Sequence, residues 1–355
     1  MKRKGWFLSV ALILALVVSG CGSSQNAQSS SPSPSGASSP SASPQAQAAE
    51  SPKKFGKIRI GYPTQAADML PLWVGVDHGI FAKYGLDVEP VYMGGSTKVM
   101  QGILGRGVEY GLTAASTNAS AFVNGQKTVT FGNIVHHSAL WIYAQKGFSS
   151  VNELKGKTMI TASVGTTYES FAIYAIRHHG MVPNKDVKLV NIAGSGDRQA
   201  AFLNNSAEAM VTGTPLNYQL DAEGYPMIMD LTPVKLVMGP ITTLPDYYEA
   251  NMEQNVAVVK AFAESIKFIK TERDKTIDTL AKWTNVPRQD AEKAYETVIA
   301  IDVYPDIPRI DEQDFMFPLE NGSDEKLHAL TIEDTKAMYT NEIVDRLEAE
   351  GFFKS

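Results

Sequence analysis

The sequence of 355 residues contains a single cysteine, Cys21, and has 32 lysines and arginines against 38 aspartates and glutamates. One thiol per chain excludes an internal disulfide and a cysteine-rich metal or iron cluster. The formal net charge is −6, and it becomes −9 when Lys2, Arg3 and Lys4 are removed together with the segment before Cys21. We therefore expect no binding of nucleic acid, which requires a basic face.

The sequence has only one long apolar run, and it lies at the start of the chain. It extends from Trp6 to Val18 between a basic segment and the small residues Ser19 and Gly20. A bilayer span needs about 20 apolar residues, so residues 1–20 are more typical of an export signal than of a transmembrane anchor, which is the alternative.

Val18-Ser19-Gly20-Cys21 resembles the lipobox of bacterial lipoproteins. The resemblance implies that Cys21 is acylated and that the protein is anchored by lipid at the outer face of the cytoplasmic membrane, or at the outer membrane of a cell that has two. Acylation would also leave no thiol for catalysis. Residues 21–54 consist mostly of Ser, Pro, Ala, Gln and Gly, which predicts a disordered tether.

The rest of the chain alternates short β-branched runs with amphipathic stretches, beginning at Lys57-Ile58-Arg59-Ile60. This rhythm predicts a mainly parallel sheet covered by helices, and it restarts at Lys157-Thr158-Met159-Ile160. Several residues also recur 99 positions apart, namely Asp87 and Asp186, Gly95 and Gly194, Ser96 and Ser195, Leu104 and Leu203, and Thr113 and Thr212. Unless these matches are coincidental, they predict two similar α/β lobes.

A set of short motifs resembles the nitrate/sulfonate/taurine family of substrate-binding proteins of ABC importers, which includes binders of thiamine-pyrimidine precursors and aromatic acids. The motifs are Gly61-Tyr62, Leu70-Pro71-Leu72-Trp73, His78-Gly79-Ile80-Phe81, Glu153-Leu154-Lys155-Gly156-Lys157 and Ser163-Val164-Gly165-Thr166-Thr167. The similarity extends over about residues 57–243. It implies an α/β, two-lobed periplasmic-binding-protein-like fold of type II with a ligand cleft between the lobes.

The resemblance also implies the organisation of the chain. The first lobe would contain residues 55–142, the second lobe residues 143–240, and residues 241–355 would return to the first lobe and add C-terminal helices. The chain would cross between lobes near Trp141 to Gln145 and near Leu236 to Thr243.

Candidate ligand-binding residues lie at the turns between strands and helices and at nearby aromatic positions. They are Tyr62, Trp73, Ser96, Thr97, Ser116, Trp141, Ser163, Gly165, Thr166, Thr167, Tyr168, Thr212 and Thr214. Residues 163–167 open a predicted helix, where free N–H groups attract an anion, although ordinary helix capping accounts for the same hydroxyl groups. The aromatic rings could stack on a planar ligand, or they could simply pack in the core.

These positions predict a small organic ligand with an anionic or strongly hydrogen-bonding head and a planar or apolar body, of the sulfonate, aromatic acid or pyrimidine class. An inorganic ion such as nitrate is less favoured, because the expected walls are rich in aromatic residues and no arginine lies at either Gly-Ser turn, Arg198 being the nearest. The expected partners are an ABC permease and its ATPase, and we expect a monomer. The sequence supports no cofactor, because it has neither a complete dinucleotide fingerprint nor a phosphate-binding loop.

Two histidine pairs, His136-His137 and His178-His179, raise the question of a metal site. Adjacent side chains point in different directions on a strand or a helix, so we expect no metal there. A thiamine-pyrimidine synthase-like enzyme is an alternative function, but its cysteine-rich iron motif is absent and no set of catalytic residues stands out. A lipoprotein with an adhesive or chaperone role is a further alternative.

Overall fold

The computed structural model describes residues 54–354 as an α/β fold, in which ten strands form two five-stranded sheets. The strands of the first sheet are β1 (Lys57–Tyr62), β2 (Asp87–Tyr92), β3 (Tyr110–Leu112), β4 (Val129–Asn133) and β10 (Pro240–Thr243). The strands of the second sheet are β5 (Leu140–Ala144), β6 (Thr158–Thr161), β7 (Lys188–Asn191), β8 (Ala209–Gly213) and β9 (Met227–Asp230). The predicted signal peptide, Cys21 and all of the predicted tether except Lys54 lie outside the described residues.

Helices connect the strands and extend the chain after the last one. They are α1 (Leu70–Asp77), α2 (Ile80–Lys83), α3 (Ser96–Leu104), α4 (Ala115–Val123), α5 (Thr167–His178), α6 (Ser195–Leu203), α7 (Asn217–Glu223), α8 (Pro245–Ala250), α9 (Met252–Thr271), α10 (Arg273–Thr284), α11 (Arg288–Ala300), α12 (Met316–Glu320), α13 (Ile332–Thr335) and α14 (Glu342–Ala349). Among the described helices, none is both long enough and apolar enough to span a membrane.

The two sheets have the same topology. Their strand orders are β2-β1-β3-β10-β4 and β7-β6-β8-β5-β9. In each sheet one strand, β10 or β5, pairs antiparallel with both of its neighbours, and the other four strands run in one direction. The mainly parallel sheets predicted from the βαβ rhythm are therefore present, with one reversed strand in each.

The 99-residue recurrence in the sequence corresponds to a structural repeat. Helix α3 runs from Ser96 to Leu104 and helix α6 from Ser195 to Leu203, so both ends are displaced by 99 positions. Strands β3 and β8 begin with the same displacement, at Tyr110 and Ala209. Matching elements therefore occupy matching places in the two sheets, which a chance recurrence of residues would not produce.

The chain passes between the sheets twice, in residues 134–139 and 231–239. The two crossing segments touch through an antiparallel bridge between His137 and Lys235. The predicted crossing at Trp141 to Gln145 is thus several residues late, because Trp141 already belongs to β5 of the second sheet. Ile134 and Val135 continue the apolar character of β4, so the sequence alone does not show that the strand ends at Asn133.

The C-terminal helices pack on the side of the first sheet. The predicted apolar stripe of α9, formed by Val259, Phe262, Ile266 and Ile269, is buried. Helix α9 contacts α1 and α2, where the rings of Phe262 and Phe81 meet edge to face with centroids 5.2 Å apart. Helices α11 and α12 of the tail also contact α7 and α5, which follow strands of the second sheet.

Candidate functional site

A small cavity lies between the two sheets, at the ends of strands and the beginnings of helices. Its lining comprises Pro63, Thr64, Asp68, Gly95, Ser96, Thr113, Ala114, Ala162, Thr166, Thr167, Tyr168, Ala193, Arg198 and Met238. The centre of a water-sized sphere can move through only about 20 Å³ of it. This is room for about one water molecule, so the two sides are close together.

Direct hydrogen bonds hold the two sides of this cleft together. Thr97 at the start of α3 donates its hydroxyl to the carbonyl of Val164 at 3.1 Å. Thr117 in the first turn of α4 donates to the carbonyl of Gly165 at 2.9 Å. The amide of Ala67 donates to the carbonyl of Thr214 at 3.0 Å. The structure is therefore a closed form of the cleft.

Four helices begin around the cleft, two following strands of each sheet. None of these four described helices, α3, α4, α5 and α6, has a hydrogen bond from its first turn to the side chain of its N-cap residue. Apart from the amide of Ala115, which donates to the carbonyl of Val237 at 3.1 Å, the N–H groups of their first turns and the positive ends of their dipoles can thus attract an anion.

The turn before α5 is shaped by its own hydrogen bonds. Gly165 has a φ of +75°, which a residue with a side chain rarely adopts. Its amide donates to the carboxylate of Glu169 at 2.7 Å, and the hydroxyl of Thr166 donates to the carbonyl of Ser163 at 2.7 Å. The Thr166 proton is thus used within the turn, while the hydroxyl oxygen can still accept a hydrogen bond.

Arg198 on α6 contributes a buried positive charge to the cavity wall. Its side chain is only 2% exposed, and its guanidinium carbon lies 4.6 Å from the centre of the Tyr168 ring. Nη1 donates to the carbonyls of Ile192 at 3.1 Å and Ala193 at 2.7 Å. Burial lowers the pKa of Arg198, and among the described carboxylates none lies within ion-pair distance of it. A buried arginine without a carboxylate partner is a strong anion-binding group.

Asp68 faces the same cavity from the first sheet. It accepts a hydrogen bond from the hydroxyl of Thr64 at 2.8 Å. Burial raises its pKa to about 6, against the smaller lowering effects of Thr64 and Arg198. Tyr304 from the C-terminal region donates to the carbonyl of Ala67 and so fixes the turn that carries Asp68. At neutral pH Asp68 can accept a hydrogen bond from a ligand N–H group.

Two buried hydroxyl groups near the cavity have no hydrogen-bond partner among the described residues. They belong to Ser116 in the first turn of α4 and to Thr214 after β8. Thr214 also lines a second small pocket that adjoins Asp68 and Tyr168. Buried hydroxyl groups are normally paired, so both could bind polar atoms of a ligand or a water molecule.

The comparison with known families gives a clear result for more than half of the chain. The family described as NMT1/THI5 like matches residues 66–275. The chain belongs to this NMT1/THI5-like family. The family predicted from the sequence motifs is thereby confirmed.

Solved structures with the same fold cover most of this NMT1/THI5-like chain. A protein of Bordetella bronchiseptica RB50 is 18% identical, with a TM-score of 0.70, and the match covers 83% of this chain and 97% of that one. The nitrate-binding protein NrtA of Synechocystis PCC 6803 is 14% identical, with a TM-score of 0.67 and coverage of 82% and 88%. The alkanesulfonate-binding protein SsuA of Xanthomonas axonopodis pv. citri, solved with MOPS bound, is 16% identical, with a TM-score of 0.65 and coverage of 76% and 91%.

A curated relative, YtlA of Bacillus subtilis (strain 168), is 22% identical over 242 residues, which are 66% of this chain and 72% of YtlA. Its name describes it as a binding protein and states no ligand. The predicted periplasmic-binding-protein-like fold is confirmed by the two sheets and by the solved neighbours.

The structure of this family member brings several predicted site residues together. Ser96, Thr166, Thr167 and Tyr168 line the cavity. Thr97 and Gly165 join the two sides through the hydrogen bonds described above, and the hydroxyl of Ser163 would lie 3.3 Å from a Cβ atom placed on Gly95. All of these residues belong to turns that begin helices, which is the feature that the sequence revealed.

The predicted stacking residues are mostly placed elsewhere. Trp73 is fully buried on α1 and stacks on Trp283 of α10, with centroids 5.6 Å apart and an interplanar angle of 6°. Trp141 packs among Tyr143, Phe202 and other apolar side chains of the second sheet. Both are corrections, because the sequence could not tell which face of a helix or strand meets the cleft.

Two further predicted residues do not line the cavity. Thr212 pairs with Trp141 inside the second sheet. The Tyr62 ring is buried against Trp73, Tyr92 and Trp283, and only Tyr168 of the predicted aromatic residues faces the cavity.

The sequence interpretation missed Arg198, Asp68 and Thr64. Arg198 follows the Gly194-Ser195 turn by one helical turn, so helical spacing could have brought it into consideration. Nothing in the sequence marks Asp68, because the short 3-10 turn that exposes it to the cavity depends on tertiary packing.

The reasoning about adjacent histidines also needs correction. His136 and His137 lie in the crossing segment and not on a regular element, and their ring centroids are only 4.6 Å apart. They therefore point in similar directions, unlike neighbouring side chains on a strand.

Proposed function

We propose that the protein is the extracytoplasmic solute-binding lipoprotein of an ABC importer, which captures a small organic anion or heteroaromatic molecule by closure of its cleft. This proposal rests on Arg198, a buried guanidinium with no carboxylate within ion-pair distance in the described part of the chain, at a cleft surrounded by four uncapped helix starts. Burial of an unpaired charge is costly, and a bound anion would remove that cost.

The proposed anionic head contacts Arg198 and the first turn of α5. Its planar body lies near Tyr168 and Tyr92, which replace the tryptophans of the sequence prediction. Tyr92 ends β2 with 40% of its surface exposed, and its ring lies 5.5 Å from that of Tyr62. Asp68, on the other side, would accept a hydrogen bond from an N–H group of a heteroaromatic ring. Sulfonates, aromatic acids and pyrimidines all fit this description.

A small inorganic anion such as nitrate is a second candidate ligand. The sequence argument against it rested on aromatic walls and on the lack of an arginine at the Gly-Ser turns, yet Arg198 lines the cavity and Tyr168 is the only aromatic residue among its described lining residues. The small size of the closed cavity also favours it. The nitrate-binding neighbour NrtA has the same fold, which supports the candidate only by analogy.

The remaining parts of the proposal rest on the predictions made from the sequence. Cys21 carries the lipid anchor and residues 21–54 form the tether. One lobe contains residues 55–133 with 240–355 and the other residues 140–230, with the two crossing segments between them, which shifts the boundaries expected from the sequence by a few residues. The monomeric protein would deliver its ligand to a membrane permease driven by an ATPase. We propose no enzymatic activity, because the cleft combines anion-binding groups, and its one hydroxyl–carboxylate pair, Thr64 and Asp68, lacks a third group that orients it among the described residues.

The test is a thermal-shift screen with nitrate, alkanesulfonates, aromatic carboxylates and aminopyrimidines as probes, followed by recovery of the bound compound. We expect one class to raise the unfolding temperature and to be recovered unchanged. Chemical conversion of the probe would instead support the enzyme alternative. Absence of a shift with every class, at millimolar concentrations, would contradict the proposed ligand chemistry.

A further inference from the structure

The first crossing segment, residues 134–139, carries two histidine rings that converge on one residue of the C-terminal region. His136 Nε2 lies 2.7 Å from the backbone carbonyl oxygen of Asp302, and His137 Nδ1 lies 3.0 Å from the same oxygen. The Asp302 carboxylate is also close, with 3.4 Å between Oδ2 and His136 Nε2. Two imidazoles and a carboxylate thus meet at one accessible place outside the cavity lining, although His137 also borders the second small pocket beside Asp68 and Tyr168.

The separations suit a tetrahedral metal ion. One atom from each of His136, His137 and Asp302 lies within 4.8 Å of the other two. In a tetrahedral zinc site with bonds of about 2.1 Å, neighbouring ligand atoms are about 3.4 Å apart. The separation of Asp302 Oδ2 and His136 Nε2 already has this value, and the His137 ligand atom lies within 4.8 Å of both, so a metal ion would replace the contacts of the two rings with the Asp302 carbonyl.

We propose that His136, His137 and Asp302 form a binding site for Zn²⁺. Two imidazole nitrogens and one carboxylate oxygen are a common ligand set for this ion, and a water molecule would occupy the fourth position. The proposal is independent of the ligand that the cleft binds.

Lys270 on α9 would compete with the metal ion for the carboxylate of Asp302. Its ammonium group lies 3.3 Å from Asp302 Oδ1, and it repels a cation bound at Oδ2. Lys270 has a second partner, since Asp306 Oδ1 lies 2.6 Å away. The lysine can therefore remain paired with Asp306 when Asp302 binds the metal ion.

The site would join the first crossing segment to the loop after α11. The backbone already connects them, because the amide of His136 donates to the carbonyl of Val303 at 3.0 Å. The carbonyl of His136 accepts from the amide of Leu236 in the second crossing segment at 3.3 Å. A bound Zn²⁺ would thus stiffen the region through which both connections pass, and it should raise the unfolding temperature.

The test is calorimetric titration of Zn²⁺ into the full chain, made without a histidine tag and stripped with a chelator. We expect one site, and His136→Gln and His137→Gln should each weaken binding by at least about tenfold. Glutamine retains a hydrogen-bond donor for the Asp302 carbonyl, which protects the local fold. Asp302→Asn should weaken binding similarly, and asparagine tolerates the positive φ of +49° at this position.

The chain provides a matched control in its other histidine pair. The rings of His178 and His179 are 5.5 Å apart, and His179 Nδ1 is hydrogen-bonded to the Ala175 carbonyl at 2.8 Å. A His178→Gln/His179→Gln variant should bind Zn²⁺ like the wild type. Equal affinity of the wild type and a His136→Gln/His137→Gln variant would overturn the proposal.

Lys270→Gln tests the role of the carboxylate separately. Removal of the competing charge should strengthen Zn²⁺ binding severalfold and should add to the rise in unfolding temperature that Zn²⁺ causes. Cobalt absorption provides a second readout, since a tetrahedral site with imidazole ligands gives intense visible bands that the double histidine variant should lack. Unchanged affinity of both Asp302→Asn and Lys270→Gln would contradict the assignment of Asp302 as a ligand.

Discussion

At the scale of single residues, the protonation of Asp68 in the cleft makes the free energy of unfolding depend on pH. Its pKa of about 6 in the folded protein, against an ordinary value of 3.8, arises from burial. Between these two values the folded state binds a proton that the unfolded state does not bind. The contribution of Asp68 to the free energy of unfolding is therefore greatest at low pH and is lost as the pH rises through about 6.

Asp68→Asn should consequently stabilise the unliganded protein at pH 7.5 by about 1 to 3 kcal/mol and should have little effect at pH 4. Denaturant unfolding at the two pH values measures the difference. Asp314, whose pKa burial also raises to about 6, provides a comparison away from the cavity lining, and its Asn variant should leave ligand affinity unchanged. A stability gain of equal size at both pH values for Asp68→Asn would contradict the account.

Removal of the Ser116 hydroxyl should change stability and ligand affinity in opposite directions. It is buried and has no partner among the described groups, so Ser116→Ala should stabilise the unliganded protein by about 1 kcal/mol. If the hydroxyl binds the ligand, the same variant should weaken affinity by about fivefold or more. Thermal unfolding and calorimetry measure the two effects, and weaker binding together with lower stability would instead indicate a structural role.

At the scale of elements, the starts of α3 and α4 hold the closed cleft through Thr97 and Thr117. Each threonine donates a hydrogen bond to the other side. Thr97→Val/Thr117→Val preserves side-chain shape, and each lost hydrogen bond should cost about 0.5 to 1.5 kcal/mol of closure energy. The variant should thus be more open without ligand.

The distance between spin labels on cysteines introduced at Gln101 and Ala200 measures this opening. Both residues are exposed, on α3 and α6, and they are equivalent positions of the 99-residue repeat. Cys21 is the only cysteine, so a Cys21→Ser background gives two unique labelling sites. A longer mean distance in the double threonine variant is expected, and an unchanged distance distribution would exclude these bonds as the closing contacts.

The elements also explain what the sequence could predict. Residues that begin a helix after a strand, such as Ser96 and Thr167, were identified because a local pattern determines both the turn and its position at the sheet edge. Trp141 was misplaced because the period of a strand separates two faces without saying which one meets the cleft. Asp68 was missed because tertiary contacts place it, including the hydrogen bond from Tyr304 to Ala67.

At the scale of the whole molecule, the proposed anchor predicts where the protein is found. Cys21→Ala should leave the export signal uncleaved or release the protein from the membrane, because two acyl chains are needed for stable attachment. Fractionation of cells that express the variant, with the wild type as control, measures this. Retention of a cleaved Cys21→Ala protein in the membrane would contradict lipid anchoring.

The central claim for the whole molecule is that the cleft closes around an anion held by Arg198. Calorimetry with the probe class identified by the thermal-shift screen tests it, using Arg198→Gln and the exposed Arg177→Gln on α5 as matched variants. The account predicts that Arg198→Gln weakens binding by at least about ten- to a hundredfold, the effect of a lost hydrogen bond to a charged group, and that Arg177→Gln stays close to the wild type. Wild-type affinity in a folded Arg198→Gln protein would contradict the account.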